Sequence, residues 1–399
     1  MTDEEPVGQR HHAMRAADDD HEQTGFRPLL VTFGSILDPD GGLQVRSRIV
    51  AESLASLGMP PTILSTREEL PLEPPPAWAR AIHVPTRKPW RGFSMEWTRL
   101  IRHYARDADA VIVANAMFMP ALELSGTRAP MIWDTNECQT LHYERLERTT
   151  SNRTKQLIWW ALERWAAKRC RVAVAIGQAE ASEWRRIHKP LQNKLMTVDH
   201  AAFVPDRHAA AGDANLVERI GGALHRPLLL FVGTIAAKHN AVAARWLIDV
   251  LAPALPDTAT IVVCGPGSDQ LVGGGRGGAR VVLLGAVDDI DSIIATADLC
   301  LAPLATGAGV KTKVLHYLAH GKRIAGTPIA FEGLSGAPGL LESSLAGLPD
   351  LVTRIIAIPE TAEAAQSRVA AQRTWLAEHH GRPLIQDQWR NVLACVNET

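Results

Sequence analysis

Residues 299–334 read LCLAPLATGAGVKTKVLHYLAHGKRIAGTPIAFEGL, and the fold is decided here. An apolar run over 299–302 has strand character, Gly307 and Gly309 make a turn, residues 311–320 have helical spacing, and a short second strand leads into Gly326-Thr327-Pro328. Strand, glycine turn and helix in that order lay out a diphosphate pocket. Glycines let a backbone approach a ligand closely, and a helix start offers unpaired N–H groups carrying a partial charge of roughly +0.5. Lys311 and Lys313 add cations beside it.

The same alternation extends upstream. Residues 227–233, PLLLFVG, form an apolar strand ending in glycine, followed by helical spacing over 239–255, a strand over 260–264, the turn Gly265-Pro266-Gly267, a strand over 281–284 and a helix over 289–296. The first half repeats this order. PLLVTFG at 28–34 is a first strand, Gly41-Gly42 opens a helix ending at Gly58, and strands follow at 62–64, 110–114, 131–134 and 172–176, with helices near 93–106, 118–125, 153–170 and 178–187. Alternating strands and helices imply parallel sheets covered on both faces. The turn-rich segment 206–225 separates two Rossmann-like units, so residues 26–205 and 206–381 are expected as two domains.

Composition narrows the function. The chain has 399 residues, 46% hydrophobic and 21% charged, with a net charge of −1, so nothing biases it electrostatically towards nucleic acid. Its 5 cysteines are widely spaced and never form a C-x-x-C pair, which argues against a disulfide framework and a zinc site and suits a reducing cytoplasm. Residues 1–25 lack an apolar run and read as a polar disordered tail rather than a leader or anchor. Among 11 tryptophans, Trp159, Trp160 and Trp165 share one helix with basic ends. Such a helix suits weak contact with a membrane surface, but its Leu157, Ile158 and Leu162 favour packing on the core.

The pattern G-x-G-x-K-x-K, followed by a helix, Gly321, Gly326-Thr327-Pro328 and Glu332-Gly333-Leu334, resembles the donor half of family 4 glycosyltransferases. The resemblance covers most of residues 28–395. It implies an α/β protein of the GT-B fold, two Rossmann-like domains facing a central cleft, with a C-terminal helix from about 382 crossing back onto the first domain. It further implies a retaining transferase that moves a sugar from a nucleoside diphosphate to a small-molecule, polysaccharide or lipid-linked acceptor, without a metal or other cofactor.

Carried over position by position, the resemblance sets Gly233-Thr234 and Lys238 at the first donor turn and Gly265 beside the nucleotide base. Gly307, Gly309, Val310 and Lys311 then lie at the diphosphate, and His316 and Glu332 near ribose or sugar hydroxyls. Gly41, Gly42 and Arg46 face the cleft from the first domain. Charge on the departing diphosphate would fall to Lys313 and Lys238, with Glu137 or His142 as the base if one is used. Acceptor recognition is expected from residues 88–97 and 136–152. Clustered Asp288, Asp289 and Asp291 open a helix, where carboxylates favour the dipole, so capping is the expected role.

Several positions depart from the family pattern. Asn136 replaces the usual histidine after the central strand, Ala308 and His316 replace a pair of glutamates eight positions apart, and His200 stands at the interdomain hinge. A histidine cannot reproduce a carboxylate's charged acceptors at a ribose. A GT-B protein that binds nucleotide without transfer, or one with altered chemistry, therefore remains a second reading.

Overall fold

The computed structural model describes residues 25–37, 41–66, 74–84, 94–202, 225–272, 278–307 and 309–397. Most of the expected polar tail, the boundary at 206–224, acceptor residues 88–93, the glycine run 273–277 and Ala308 lie outside them.

Two parallel sheets organise the chain. The first contains β1 (Pro28–Val31), β2 (Thr62–Leu64), β3 (Ala81–His83), β4 (Ala110–Val113), β5 (Met131–Asp134), β6 (Val172–Ala175) and β7 (Leu195–Thr197) in the order 3-2-1-4-5-6-7. The second contains β8 (Leu228–Val232), β9 (Thr260–Cys264), β10 (Arg280–Gly285), β11 (Leu299–Ala302), β12 (Ile324–Gly326) and β13 (Leu340–Glu342) in the order 10-9-8-11-12-13. Continuous apolar runs suit strands covered on both faces: every residue of β1, β4, β6, β9 and β11 is buried. The strand order reverses between β1 and β4, and again between β8 and β11. Loops leaving the carboxyl ends of such neighbours splay apart and leave a crevice.

Helices cover the sheets. Those of the first half are α1 (Gly42–Ser56), α2 (Met95–Tyr104), α3 (Met119–Ser125), α4 (Gln139–Glu144), α5 (Thr150–Arg169) and α6 (Gly177–Ile187). The second half has α7 (Lys238–Trp246), α8 (Ile290–Thr296), α9 (Thr312–Ala319), α10 (Leu348–Ala357), α11 (Ala362–His380) and α12 (Arg382–Asn397). Local chemistry sets several starts: Ser94, Thr149, Asp289 and Thr361 each accept a backbone N–H of the helix that follows. The helix expected over 239–255 is regular only to Trp246 and continues as a wider turn over Leu247–Leu251.

Helix α12 lies in the core of the first domain, where Ile385, Trp389, Val392 and Leu393 pack with Leu30, Val50, Leu54 and Ile112. Gln388 ties it to Asp199 twice, at 2.8 Å each, and His380 Nδ1 donates to the His200 carbonyl at 2.7 Å. The hinge histidine is therefore buried structure.

Helix α5 corrects an expectation. Only Glu163, Ala166 and Ala167 are buried, while Leu157, Ile158, Trp160 and Trp165 are exposed. The reason is length: 20 residues span about 30 Å, more than twice the about 13 Å of a four-residue strand. The sheet covers one end of the helix, and the short α4 lies beside the other, with Lys155 Nζ 5.9 Å from the Tyr143 ring, so part of the apolar surface stays exposed. Among the described residues no helix is long and apolar enough to cross a membrane.

Candidate active site

The loops after β8 and β11 meet at the second switch point. Tyr317, fully buried on α9, accepts the Val232 N–H at 2.7 Å and so fixes that helix against the end of β8. One turn earlier on the same helix, Lys313 is brought over the Phe231 ring at 4.2 Å and donates to Asn240 Oδ1 at 2.6 Å. A Cβ on Gly233 would lie 2.8 Å from the Lys313 amine, so the glycine opens the space that the amine occupies. Gly265, at φ +134°, packs against the Gly233 backbone, where a Cβ would stand 2.5 Å from its carbonyl oxygen. Two expected glycines thus form one close-packed turn beneath a lysine.

Across the crevice, Gly307 and Gly309 adopt φ values of 136° and 71°, which disfavour a side chain. Lys311 Nζ folds back onto the Gly309 carbonyl at 2.5 Å and lies 3.9 Å from Glu332. Its pKa is lowered by burial, against the opposing pull of Glu332. Burial, with help from the Lys311 charge, draws Lys313 further down, to about 7. A pair of desolvated cations is a site in need of an anion.

The first domain closes the other side. Arg145, just past α4, donates to the Gly307 carbonyl at 2.5 Å and pairs with Glu332 at 3.0 Å. A Cβ on Gly42 would approach Thr312 to 3.7 Å, so the first turns of α1 and α9 face each other. Leu141, Arg145, Glu180, Gly309, Val310 and Glu332 line a crevice of about 140 Å³ between the halves. Burial raises Glu180 to about 8, even though it accepts the Ile176 N–H and the Trp184 indole N–H.

Glu137 and His142 form a pair at 3.1 Å, with Gln139 on the other carboxylate oxygen at 3.0 Å. Burial alone would raise Glu137, but the His142 hydrogen bond and charge, with His239 and Lys311, hold it below the ordinary carboxylate value. Buried Glu163 supports this dyad by capping α4 through the Gln139 N–H at 2.8 Å. Asn136 sits at φ 51°, held by its amide on the Ala114 carbonyl, which turns the chain towards Glu137.

Some expected residues stand elsewhere. Arg46 is fully buried in an ion pair with Asp134 at 3.1 Å, so it braces the first domain rather than facing a ligand. Lys238 is exposed at the first position of α7, and His239 beside it is the residue drawn into the cleft. Burial and the Lys313 charge lower His239 to about 4. His316 is held by Asp291 at 2.5 Å. Capping falls to Asp289, while Asp291 turns to the histidines of α9. Sequence reading missed His239, Asn240, Arg145 and Glu180; Asn240 and His239 directly follow Lys238, whereas Arg145 and Glu180 carry no local signal.

Solved structures of low sequence identity share this architecture along almost their whole length. Anabaena Alr3699/HepE, solved with UDP and glucose, superposes with a TM-score of 0.65 at 14% identity over 92% of this chain and 99% of its own. The fold is GT-B. WaaG, a glycosyltransferase of lipopolysaccharide biosynthesis, gives 0.66 at 14% identity over 94% of this chain and 100% of its own. A UDP-forming trehalose-phosphate synthase from Burkholderia vietnamiensis gives 0.63 at 11% over 94% and 98%. Residues 226–377, the GT-B half that carries Gly233, Gly307 and Lys313, match the family model described as glycosyl transferases group 1. No curated protein matches the chain in sequence.

Proposed function

We propose that the chain is a glycosyltransferase that moves a sugar from a nucleoside diphosphate to an acceptor, with retention at the anomeric carbon and without a metal at the diphosphate. The observation that carries this reading is the Lys313 amine, held by Asn240 over Phe231 in the space that Gly233 leaves open. A departing diphosphate gains charge as its bond to the sugar stretches. The Lys313 and Lys311 cations and the N–H groups of the glycine turn are preorganised to receive it, and they gain strength because the site is partly desolvated. The acceptor attacks from the face being vacated, and its proton passes to the leaving phosphate or to the Glu137–His142 pair.

UDP is the nucleotide to test first, since the HepE structure holds it. The acceptor is proposed to be lipid-linked. Leu157, Ile158, Trp160 and Trp165 are exposed on α5, whose exposed charges, among them Arg153, Lys155 and Lys168, are all basic, a combination suited to an anionic membrane surface. Thermal shift with UDP, GDP, ADP and dTDP, with EDTA present, identifies the base. Turnover of the matching nucleotide sugar is then compared for wild type and Lys313→Ala, with a loss of about 10²–10³-fold expected. Tight nucleotide binding with no transfer to any acceptor would support the non-transferring reading, and no binding at all would sink the proposal.

A further inference from the structure

Helix α9 and the residue that ends it, His320, carry a second constellation, one and two turns beyond Lys313. His316 and His320 are four residues apart, so both rings leave the same face of the helix. Their Nε2 atoms converge on one oxygen of Asp291 from the first turn of α8, at 2.5 and 2.9 Å. The ring centroids lie 5.3 Å apart, and one ligand atom from each of the three residues falls within 4.8 Å of the others.

We propose that Asp291, His316 and His320 bind a divalent transition-metal ion of the zinc class. Two histidines at i and i+4 on one helix, joined by a carboxylate from a neighbouring element, supply three protein ligands of the kind zinc takes. A tetrahedral ion about 2.0–2.2 Å from each atom sets neighbouring ligand atoms about 3.3–3.6 Å apart. The His320 pair, at 2.9 Å, reaches that spacing by opening about 0.5 Å and the His316 pair, at 2.5 Å, by opening about 1 Å. In the metal-free protein both rings must donate Nε2–H to a single oxygen. On binding, each Nε2 gives up its proton and presents its lone pair to the ion.

The remaining coordination positions belong to water. The Asp291 side chain is 23% exposed and that of His316 14%, which leaves the ion a path in from solvent. Nitrogen donors favour zinc, nickel, cobalt or copper over magnesium, whose preferred partners are oxygen. The ion would tie α8 to the helix that carries Lys313, apart from the diphosphate chemistry. This site stands or falls independently of the donor reading.

The experiment is a zinc titration of the metal-stripped full chain by calorimetry, with His11, His12 and His21 replaced by alanine so that the tail contributes no imidazole. One-to-one binding is expected, with no heat from magnesium, and His320→Gln and Asp291→Asn should each weaken it at least about tenfold. Cobalt loaded into the same protein should show visible bands of four- or five-coordinate geometry, a readout that needs no variant to fold. No zinc binding, or equal binding by both variants and the parent, would overturn the proposal.

Discussion

Gly233 is confined to glycine by its neighbours, since a Cβ there would collide with both Asn240 and the Lys313 amine at 2.8 Å. Gly233→Ala should therefore displace the lysine and lower turnover by at least about tenfold, with nucleotide affinity reduced in parallel; kcat and KM measured beside a melting curve separate this from unfolding. Lys313 makes a pH prediction of its own. With its pKa near 7 in the free protein, an arriving diphosphate favours the charged amine, so binding at pH 8 should take up a proton, and affinity should fall as pH rises through 7. Calorimetry in buffers of different ionisation enthalpy measures that uptake, and Lys313→Ala should abolish it. The lysine and its glycines were legible as residues because turn and helix chemistry is local. His239, drawn inward where Lys238 is exposed, was not, since the helical phase of α7 sets which of two adjacent basic residues turns inward.

At the scale of elements, buried polar groups decide how the pieces meet. The Tyr317 hydroxyl satisfies the Val232 N–H at the end of β8. Tyr317→Phe would leave that donor buried without its partner, at a cost of about 1–3 kcal/mol, observable as a lower Tm with loss of turnover exceeding the fraction unfolded. Glu163 acts similarly on α4, a six-residue helix with no capping side chain of its own. That helix was illegible in the sequence because its cap comes from 24 residues away. By contrast, β1, β8 and β11 could be read directly, because strands buried on both faces must be apolar throughout. Helix α5 was misjudged for the reason its length supplies: an apolar stripe shows what a helix is able to bury, not how far its partner extends.

Across the whole molecule, the two halves are joined by Arg145 on the Gly307 carbonyl and Glu332, and by α12 in the core of the first domain. A partly exposed ion pair contributes little stability, so Arg145→Ala should change ΔG by less than about 1 kcal/mol. It should nonetheless loosen the cleft, seen as a larger radius of gyration in solution scattering. Acid should act on the same frame. Burial lowers His200 to about 3 and His239 to about 4, and it lowers His380 as well. These rings stay neutral in the fold while the unfolded chain protonates them below about 6.5, so the stability they permit is complete above that pH and lost as pH falls towards 4. Glu180, raised to about 8, opposes with a single proton and is outnumbered. Denaturant titrations from pH 7 to pH 4 should show falling stability, with a shallower slope for His239→Gln.

The amino-acid sequence by itself determined the alternation of strands and helices, the division into two parallel-sheet halves and the glycine turns, because each depends on side-chain periodicity or backbone freedom within a few residues. Only the tertiary structure decided which charges share a cleft. Arg145 meets Gly307 from 162 positions away, Arg46 is consumed by Asp134, and Asp291 collects two histidines from another helix. Such pairings follow from where strand order reverses and which helix faces cross. These are properties of packed layers that no local stretch of chain encodes.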